Sequence, residues 1–361
     1  MGYRYIGAKT KILEQVIRKI SALVPKGGHV CDLMCGTAAV SSALRRNGYR
    51  VTAVDLMTFS YHHARVALLF TQPPSFRNAK GFIEEYSRLK DKALFSPTFY
   101  ESILDALNNV PPETGYFWRE FSMEGCPKNT PRPRNYFSPE NAKRIDGIRT
   151  WIGRLKKNEW INDIEHSLLL HDLIMAANDV ANIAGTYGHY LSKLIGRANS
   201  PLKLRPSSLI ILPDGGNHKV LRGYAEDLAS SIKCDLCYID PPYMKRQYAA
   251  NYHVLETLAR GDEPEAIGVS GLRPWRDQYS NFCTKTKIHD SFARIFNDMK
   301  CEDFLISYSE DGLLGLEQLQ SLLSEFGQIE VSKFKSKRFK SNETKLSPEL
   351  TEYIIYLRVN K

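Results

Sequence analysis

The chain has 361 residues, 43% of them hydrophobic, and a formal net charge of +9. That is enough for one large or two smaller folded domains with a sizeable core, and no apolar run approaches the ~20 residues that would span a bilayer. The basic balance favours an anionic partner, nucleic acid first among them, although an ordinary basic enzyme carries the same charge. The N-terminal Met1-Gly2-Tyr3-Arg4-Tyr5 is followed by no apolar signal segment, so a soluble, cytoplasmic protein is expected. Seven cysteines in a chain of this length do not suggest a disulfide framework. Cys234 and Cys237 form a C-x-x-C, but no second pair completes a zinc set, so buried thiols and no metal are expected.

In chain order, a helical stripe of Leu13, Val16, Ile17, Ile20, Leu23 and Val24 runs over residues 9–24 and ends at Pro25-Lys26-Gly27-Gly28. Residues 29–34 read as a strand, Cys35-Gly36-Thr37-Ala38-Ala39 as a small-residue turn, 40–47 as a helix, and 50–55 as a second strand. Together they make a βαβ unit within about 30 residues. From about residue 60 to 205 helical periods dominate, with breaks at Pro73-Pro74, Pro111-Pro112 and Pro131-Arg132-Pro133. One helix there starts with Ser138 as N-cap and Pro139 in the first turn, with Ile145, Ile148, Ile152 and Leu155 on one face; another covers 163–182. Strand signals return at 208–212, 218–221, 235–239, 303–308, 329–334 and 352–359. The expected fold is α/β, a doubly wound sheet built from residues 1–59 and 206–361, with a mostly helical insertion at 60–205.

Two places carry chemistry. Asp32 through Ala38 is a strand–turn–helix in which a turn with little side chain lets backbone approach a ligand at a helix N-terminus. Asp55 ends the next strand, where a carboxylate either closes a turn or accepts two ribose hydroxyls. The second place is Asp240-Pro241-Pro242-Tyr243, after the apolar run 236–239. An acid and a carbonyl can grip an amino group there, and a ring can stack on a flat base. A plain turn has the same composition, but it accounts poorly for this tetrad after a buried strand and downstream of a nucleotide-type unit.

Tyr5-Ile6-Gly7-Ala8-Lys9, Asp32-Leu33-Met34-Cys35-Gly36-Thr37, Asp55 and Asp240-Pro241-Pro242-Tyr243 occur in that order. So arranged, the chain resembles the alpha group of DNA adenine-N(6) methyltransferases, of Dam type and FokI-modification type. The resemblance extends through Arg246-Gln247-Tyr248, Asn251-Tyr252-His253, residues 336–341 and, within the insertion, residues 136–141 and 182–188. It implies a Rossmann-like methyltransferase sheet carrying an inserted target-recognition domain, with S-adenosylmethionine as cofactor and double-stranded DNA as partner. It admits a separately acting restriction endonuclease as a second partner. Position by position, it implies that Tyr5, Gly7, Lys9, Asp32, Gly36, Asp55 and Asp240 meet the cofactor. The family often has an acid–aromatic pair before the catalytic strand; Gly223-Tyr224 stands there instead, so Tyr224 is the expected contact.

The expected reaction is methyl transfer to the amino group of a flipped-out adenine. Tyr243 stacks on the base, Asp240 and the Pro241 carbonyl accept the amino protons, and Pro242 completes the catalytic tetrad. DNA contacts are expected from Lys245, Arg246, Tyr248, Asn251, Tyr252 and His253 after that tetrad. Others are expected from the C-terminal basic run that includes Lys333, Lys335, Lys337, Arg338, Lys340 and Lys345, and from Lys128, Arg132 and Arg134. Cytosine-N(4) methylation is the near alternative, and a non-catalytic DNA-binding subunit with the same fold the further one. RNA methylation is disfavoured by the large insertion, and glutamine methylation by Asp rather than Asn at 240.

Overall fold

The computed structural model describes residues 12–89, 96–212, 215, 217–337 and 349–360. They divide into two compact units. A helical unit holds Phe70–Leu212 and Ala250–Asp277, and an α/β unit holds the described parts of Ile6–Leu69, Pro213–Ala249 and Gln278–Lys361.

The α/β unit contains β1 (His29–Asp32), β2 (Arg50–Asp55), β3 (Lys219–Arg222), β4 (Leu236–Ile239), β5 (Asp303–Ser309), β6 (Gly327–Lys337) and β7 (Glu349–Val359). They form one sheet of order β3-β2-β1-β4-β5-β7-β6. The first five are parallel, and β7 runs antiparallel to both β5 and β6. The chain therefore winds outward from β1 to β3 on one side and from β4 to β5 on the other. The crevice at the C-terminal ends of β1 and β4 is the switch point, where open α/β sheets bind ligands.

Side-chain alternation divides the core between the two faces of the sheet. Val30, Ala53, Leu236 and Leu305 pack with the helices Leu13–Leu23, Ala39–Arg46 and Thr58–Leu68. Cys31, Val54, Cys237, Phe304 and Ile306 pack with Ile288–Asp298 and Leu316–Ser324. Burial on both faces is why these strands read as unbroken apolar runs. Cys31, Cys234, Cys237 and Cys301 are buried in the second cluster as free thiols; burial pushes the Cys237 thiol up to about 12. Among the described residues no His, Cys, Asp or Glu group is placed to hold a metal ion, and no helix is long and apolar enough to cross a membrane.

In the helical unit, the Ser138 hydroxyl accepts from the Asn141 N–H at 3.2 Å and starts the helix Pro139–Lys157. Ile145, Ile148, Ile152 and Leu155 are all buried. Asn162 caps Asp163–Val180 with a reciprocal Glu165 bond. The strand expected at 208–212 does not form. Its leading residue, Ser207, is tied to helices, donating from Oγ to Asp172 at 2.6 Å and from N–H to the Tyr100 hydroxyl at 2.9 Å. The apolar run Leu209-Ile210-Ile211 then meets no strand edge, and propensity without a partner is insufficient.

Candidate active site

The turn after β1 is held by its own backbone. Cys35 N–H donates to Val54 O at 2.9 Å and Ala38 N–H to Cys35 O at 2.7 Å. Gly36 and Ala38 both have positive φ, +51° and +60°. Ala38 thus adopts the left-handed conformation that glycine takes more readily, a local strain of about 1 kcal/mol or more at the mouth of the switch point. Asp55 stabilises the same turn: its two oxygens accept from Gly36 N–H and Met57 N–H, each at 2.8 Å. Asp55 therefore closes the turn, as one of its two sequence readings has it.

Asp32 is 1% exposed. It accepts from the Ser41 N–H at 3.0 Å and the Ser41 hydroxyl at 2.6 Å. Burial raises its carboxyl to about 7, with Asp240 and Asp55 adding to the rise and the Ser41 bonds opposing it. Asp32 at the end of β1 therefore feels the carboxylates at the end of β2 and just after β4. Ser41 was not singled out by sequence, because its partner lies nine residues back across a turn.

Asp240 follows β4 directly. Leu33 N–H donates to Tyr238 O at 2.9 Å, so the β1 and β4 loops leave the sheet side by side. Asp240, Pro242 and Tyr243 are half-buried and Pro241 is buried. Two consecutive prolines carry no N–H, so the tetrad presents acceptors rather than donors over that stretch. The Tyr243 ring lies 5.6 Å from the Tyr308 ring at 58°, and its carbonyl accepts from Leu313 N–H at 2.8 Å. The loop is pinned further on by Gln247, whose amide donates to Ser280 O at 3.0 Å and accepts from Ser280 N–H at 2.8 Å. Tyr308 and Gln247 brace this loop; Gln247 lies in the Arg246-Gln247-Tyr248 stretch of the resemblance without a role assigned to it, and no local pattern marks Tyr308.

An acid–proline–proline–aromatic tetrad at a switch point, beside a carboxylate-stabilised turn, is matched by a known family. The family model for D12 class N6 adenine-specific DNA methyltransferases covers residues 5–322. This chain belongs to that family. It is 34% identical over 98% of its length to the type II methyltransferase M.FokI of Planomicrobium okeanokoites, of which the match covers 52%. It is 30% identical over 94% of its length to M.NlaIII of Neisseria lactamica, covering 93% of that protein. The chain thus spans about half the length of the first relative and nearly all of the second. A solved precorrin-6y C5,15-methyltransferase from Geobacter metallireducens GS-15 aligns with 97% of this chain and 90% of its own at 9% identity, with a TM-score of 0.31, too low to weigh.

In this D12-class chain, Tyr224 precedes the short helix Ala225–Leu228 and lines a cavity of about 270 Å³ with Glu226, Asp227, Tyr279, Asn281 and Arg294. Arg294 donates to Asp227 at 2.6 Å across it. Gly223 N–H donates to Asp55 O at 3.1 Å, which joins the ends of β2 and β3. Tyr279, Asn281 and Arg294 lie more than 50 residues downstream of Tyr224 and gave no sequence signal.

The residues proposed for DNA contact separate into two groups. Lys245, Arg246, Lys128, Arg132, Lys333 and Lys335 are exposed, and Tyr248 and Asn251 are half-buried. Tyr252, His253 and Arg134 are corrected: each is 0% exposed and serves as a packing group. The His253 Nε2 lies 3.0 Å from Tyr187 O, its ring packs on Phe121 and Tyr136, and burial lowers its pKa to about 3. Arg134 is ion-paired with buried Glu120 at 2.7 Å. Tyr5, Gly7, Lys9, Arg338, Lys340, Lys345 and the Lys337 side chain lie outside the described residues.

Proposed function

We propose that this chain transfers a methyl group from S-adenosylmethionine to the exocyclic amino group of an adenine flipped out of duplex DNA, as the modification enzyme of a restriction system. The observation that carries the reading is the placement of Asp240-Pro241-Pro242-Tyr243 at the end of β4, beside the β1 turn. Family membership favours adenine over cytosine as the target.

The donor set fits the cofactor. Asp240 and Asp55 both disfavour the charged form of Asp32 at the crevice, and a sulfonium cation with its ammonium group would offset that repulsion. When bound, S-adenosylmethionine supplies an electrophilic methyl group. Asp55, at the end of β2, would accept ribose hydroxyls, the Gly36 turn would admit close approach, and the Tyr224 cavity would take a flat ring. Tyr5, Gly7 and Lys9 are proposed for the same ligand on sequence grounds alone.

The protein's own groups act on the amine. The adenine amino lone pair is delocalised into the ring. The Asp240 carboxylate and the Pro241 carbonyl accept hydrogen bonds from the two amino N–H groups, which draws the nitrogen toward tetrahedral geometry and frees the lone pair; one N–H stays in the methylated product and the other proton passes by way of Asp240 to solvent. Tyr243, braced by Tyr308, stacks on the base, a contact worth ~1–3 kcal/mol. Because transfer is in-line, the protein contributes orientation and fixed acceptors. The helical insertion is proposed as the target-recognition region, and Lys245 and Arg246 as phosphate contacts. A separately acting nuclease would be the physiological counterpart.

Incubation of unmethylated genomic DNA with methyl-labelled S-adenosylmethionine, followed by nucleoside mass spectrometry, tests the reading. N(6)-methyladenine is the expected product. N(4)-methylcytosine would overturn the target base, and unlabelled DNA with a bound cofactor would overturn the reaction.

A further inference from the structure

In the helical unit, the two most exposed large hydrophobic residues among those described are Ile267, 52% exposed, and Val269, 72% exposed. They flank Gly268 at the tip of one turn. The turn is built rather than loose. Ile267 and Leu272 exchange two backbone hydrogen bonds of 2.8 Å, and Gly271 N–H donates to Gly268 O at 3.2 Å. Gly268 and Gly271 both have φ +69°. From beneath, the buried Arg134 guanidinium donates to Ala266 O at 3.2 Å and Gly268 O at 2.9 Å. The Tyr136 hydroxyl donates to Ser270 O at 3.1 Å, and the Ser270 hydroxyl to Gly188 O at 2.7 Å. A Cβ on Gly271 would meet Arg134 and Phe121 at 2.9 Å, so this close approach requires glycine.

The carbonyls at 266, 268 and 270 are thus tied to the interior while Ile267 and Val269 stand in water. Both are β-branched and stiff at χ1, so little rotamer freedom is lost if they become buried. The same root anchors two further loops. Arg134 and Tyr136 end the loop that carries the exposed Lys128 and Arg132, and Asn135 donates to Ser192 O at 3.1 Å beside the exposed Lys193. Acids on the turn's own flanks are already engaged: Glu265 by Asn129 at 2.8 Å, Glu263 by Arg149 at 3.4 Å, and Asp262 by Arg273 at 2.7 Å. The surroundings of the tip therefore suit a polyanion with an apolar interior.

We propose that the Ile267–Gly268–Val269 turn is an apolar wedge that enters the base stack of duplex DNA, while Lys128, Arg132 and Lys193 meet phosphates beside it. Branched aliphatic side chains are used in this way to unstack base steps. The proposal rests on the DNA methyltransferase reading and extends it to how the stack is opened. Opening costs a few kcal/mol in a paired duplex and less where the target base is already unpaired.

The test compares wild type, the double variant Ile267→Ser/Val269→Ser and the conservative variant Ile267→Leu/Val269→Leu. Two duplex oligonucleotides carry the motif that wild type methylates in genomic DNA: one fully paired, one with an abasic site opposite the target adenine. The wedge predicts that the serine variant loses roughly ten- to hundredfold in methyl transfer on the paired duplex, a few kcal/mol at 1.4 kcal/mol per tenfold. It retains most activity on the abasic duplex, and the leucine variant stays near wild type on both. An equal loss on both duplexes, or no loss on either, overturns the wedge. The latter, with a self-association in wild type that the serine variant lacks, would assign the tip to a protein contact. A wild type that methylates neither duplex nor genomic DNA overturns the underlying reading itself.

Discussion

Burial and two neighbouring acids lift the Asp32 carboxyl to about 7, against 3.8 for the free side chain. Between those values the folded chain holds a proton that the unfolded chain has released, so this group makes stability fall as pH rises from about 4 to about 7. Asp32→Asn keeps an acceptor for Ser41 and removes the titration. Its melting temperature is expected to match wild type near pH 4 and to exceed it at pH 8; identical curves at both would refute the assignment. Tyr243→Ala is expected to lower kcat/KM by ~1–3 kcal/mol equivalent while Tyr243→Phe stays close to wild type, because the stack needs a ring and not a hydroxyl. Unchanged kinetics in the alanine variant would remove the stacking role. Asp240 and Asp55 were legible as chemistry because each sits next to a strand end that its own neighbours define. Tyr308, Gln247 and Arg294 were not, because their partners are brought to them only by the fold. Tyr252 and His253 were misassigned for the complementary reason. A charged and aromatic stretch has the composition of a binding face, and only the packing of Phe121, Tyr136 and Tyr187 around it shows that the face is internal.

At the scale of elements, the parallel core strands were readable since apolar side chains fill both faces, and the start of Pro139–Lys157 was readable from its cap. Ser138→Ala should cost about 1 kcal/mol in equilibrium denaturation. A larger effect is expected at the root of the exposed turn. Arg134 and Glu120 are both buried and paired, and Glu120 has a second, less buried partner in Arg119 at 3.0 Å, so Arg134→Leu leaves the buried carboxylate with Arg119 alone and should destabilise the chain by a few kcal/mol, up to the ~3–5 kcal/mol of a fully broken buried pair. A loss under about 1 kcal/mol would show that the pair is not what holds this region. The segment at 208–212 shows the limit of reading by propensity: Leu209-Ile210-Ile211 has strand composition and no strand beside it. Nor does any local signal indicate that residues 250–277, which follow the catalytic loop in sequence, pack with the helical unit. That depends on side chains such as His253 meeting Tyr187 O and the Phe121 ring, both more than 60 residues away.

For the whole molecule, family membership supports the proposed reaction class, and the fold is compatible with the proposed mechanism. A sheet that winds both ways from β1 and β4 places Asp240, followed by two prolines without N–H groups, near Asp32, whose carboxyl is raised by burial and by Asp240 and Asp55. The proposed binding to duplex DNA through exposed Lys and Arg side chains predicts that log affinity falls linearly with log salt. The central claim is that Asp240 accepts an amino proton during transfer. The most direct measurement is the single-turnover rate of methyl transfer to a paired duplex by Asp240→Asn, with S-adenosylmethionine affinity measured by calorimetry on the same preparation. The account predicts a fall of roughly 10²-fold or more in rate, with the cofactor still bound. A rate within about threefold of wild type would contradict it.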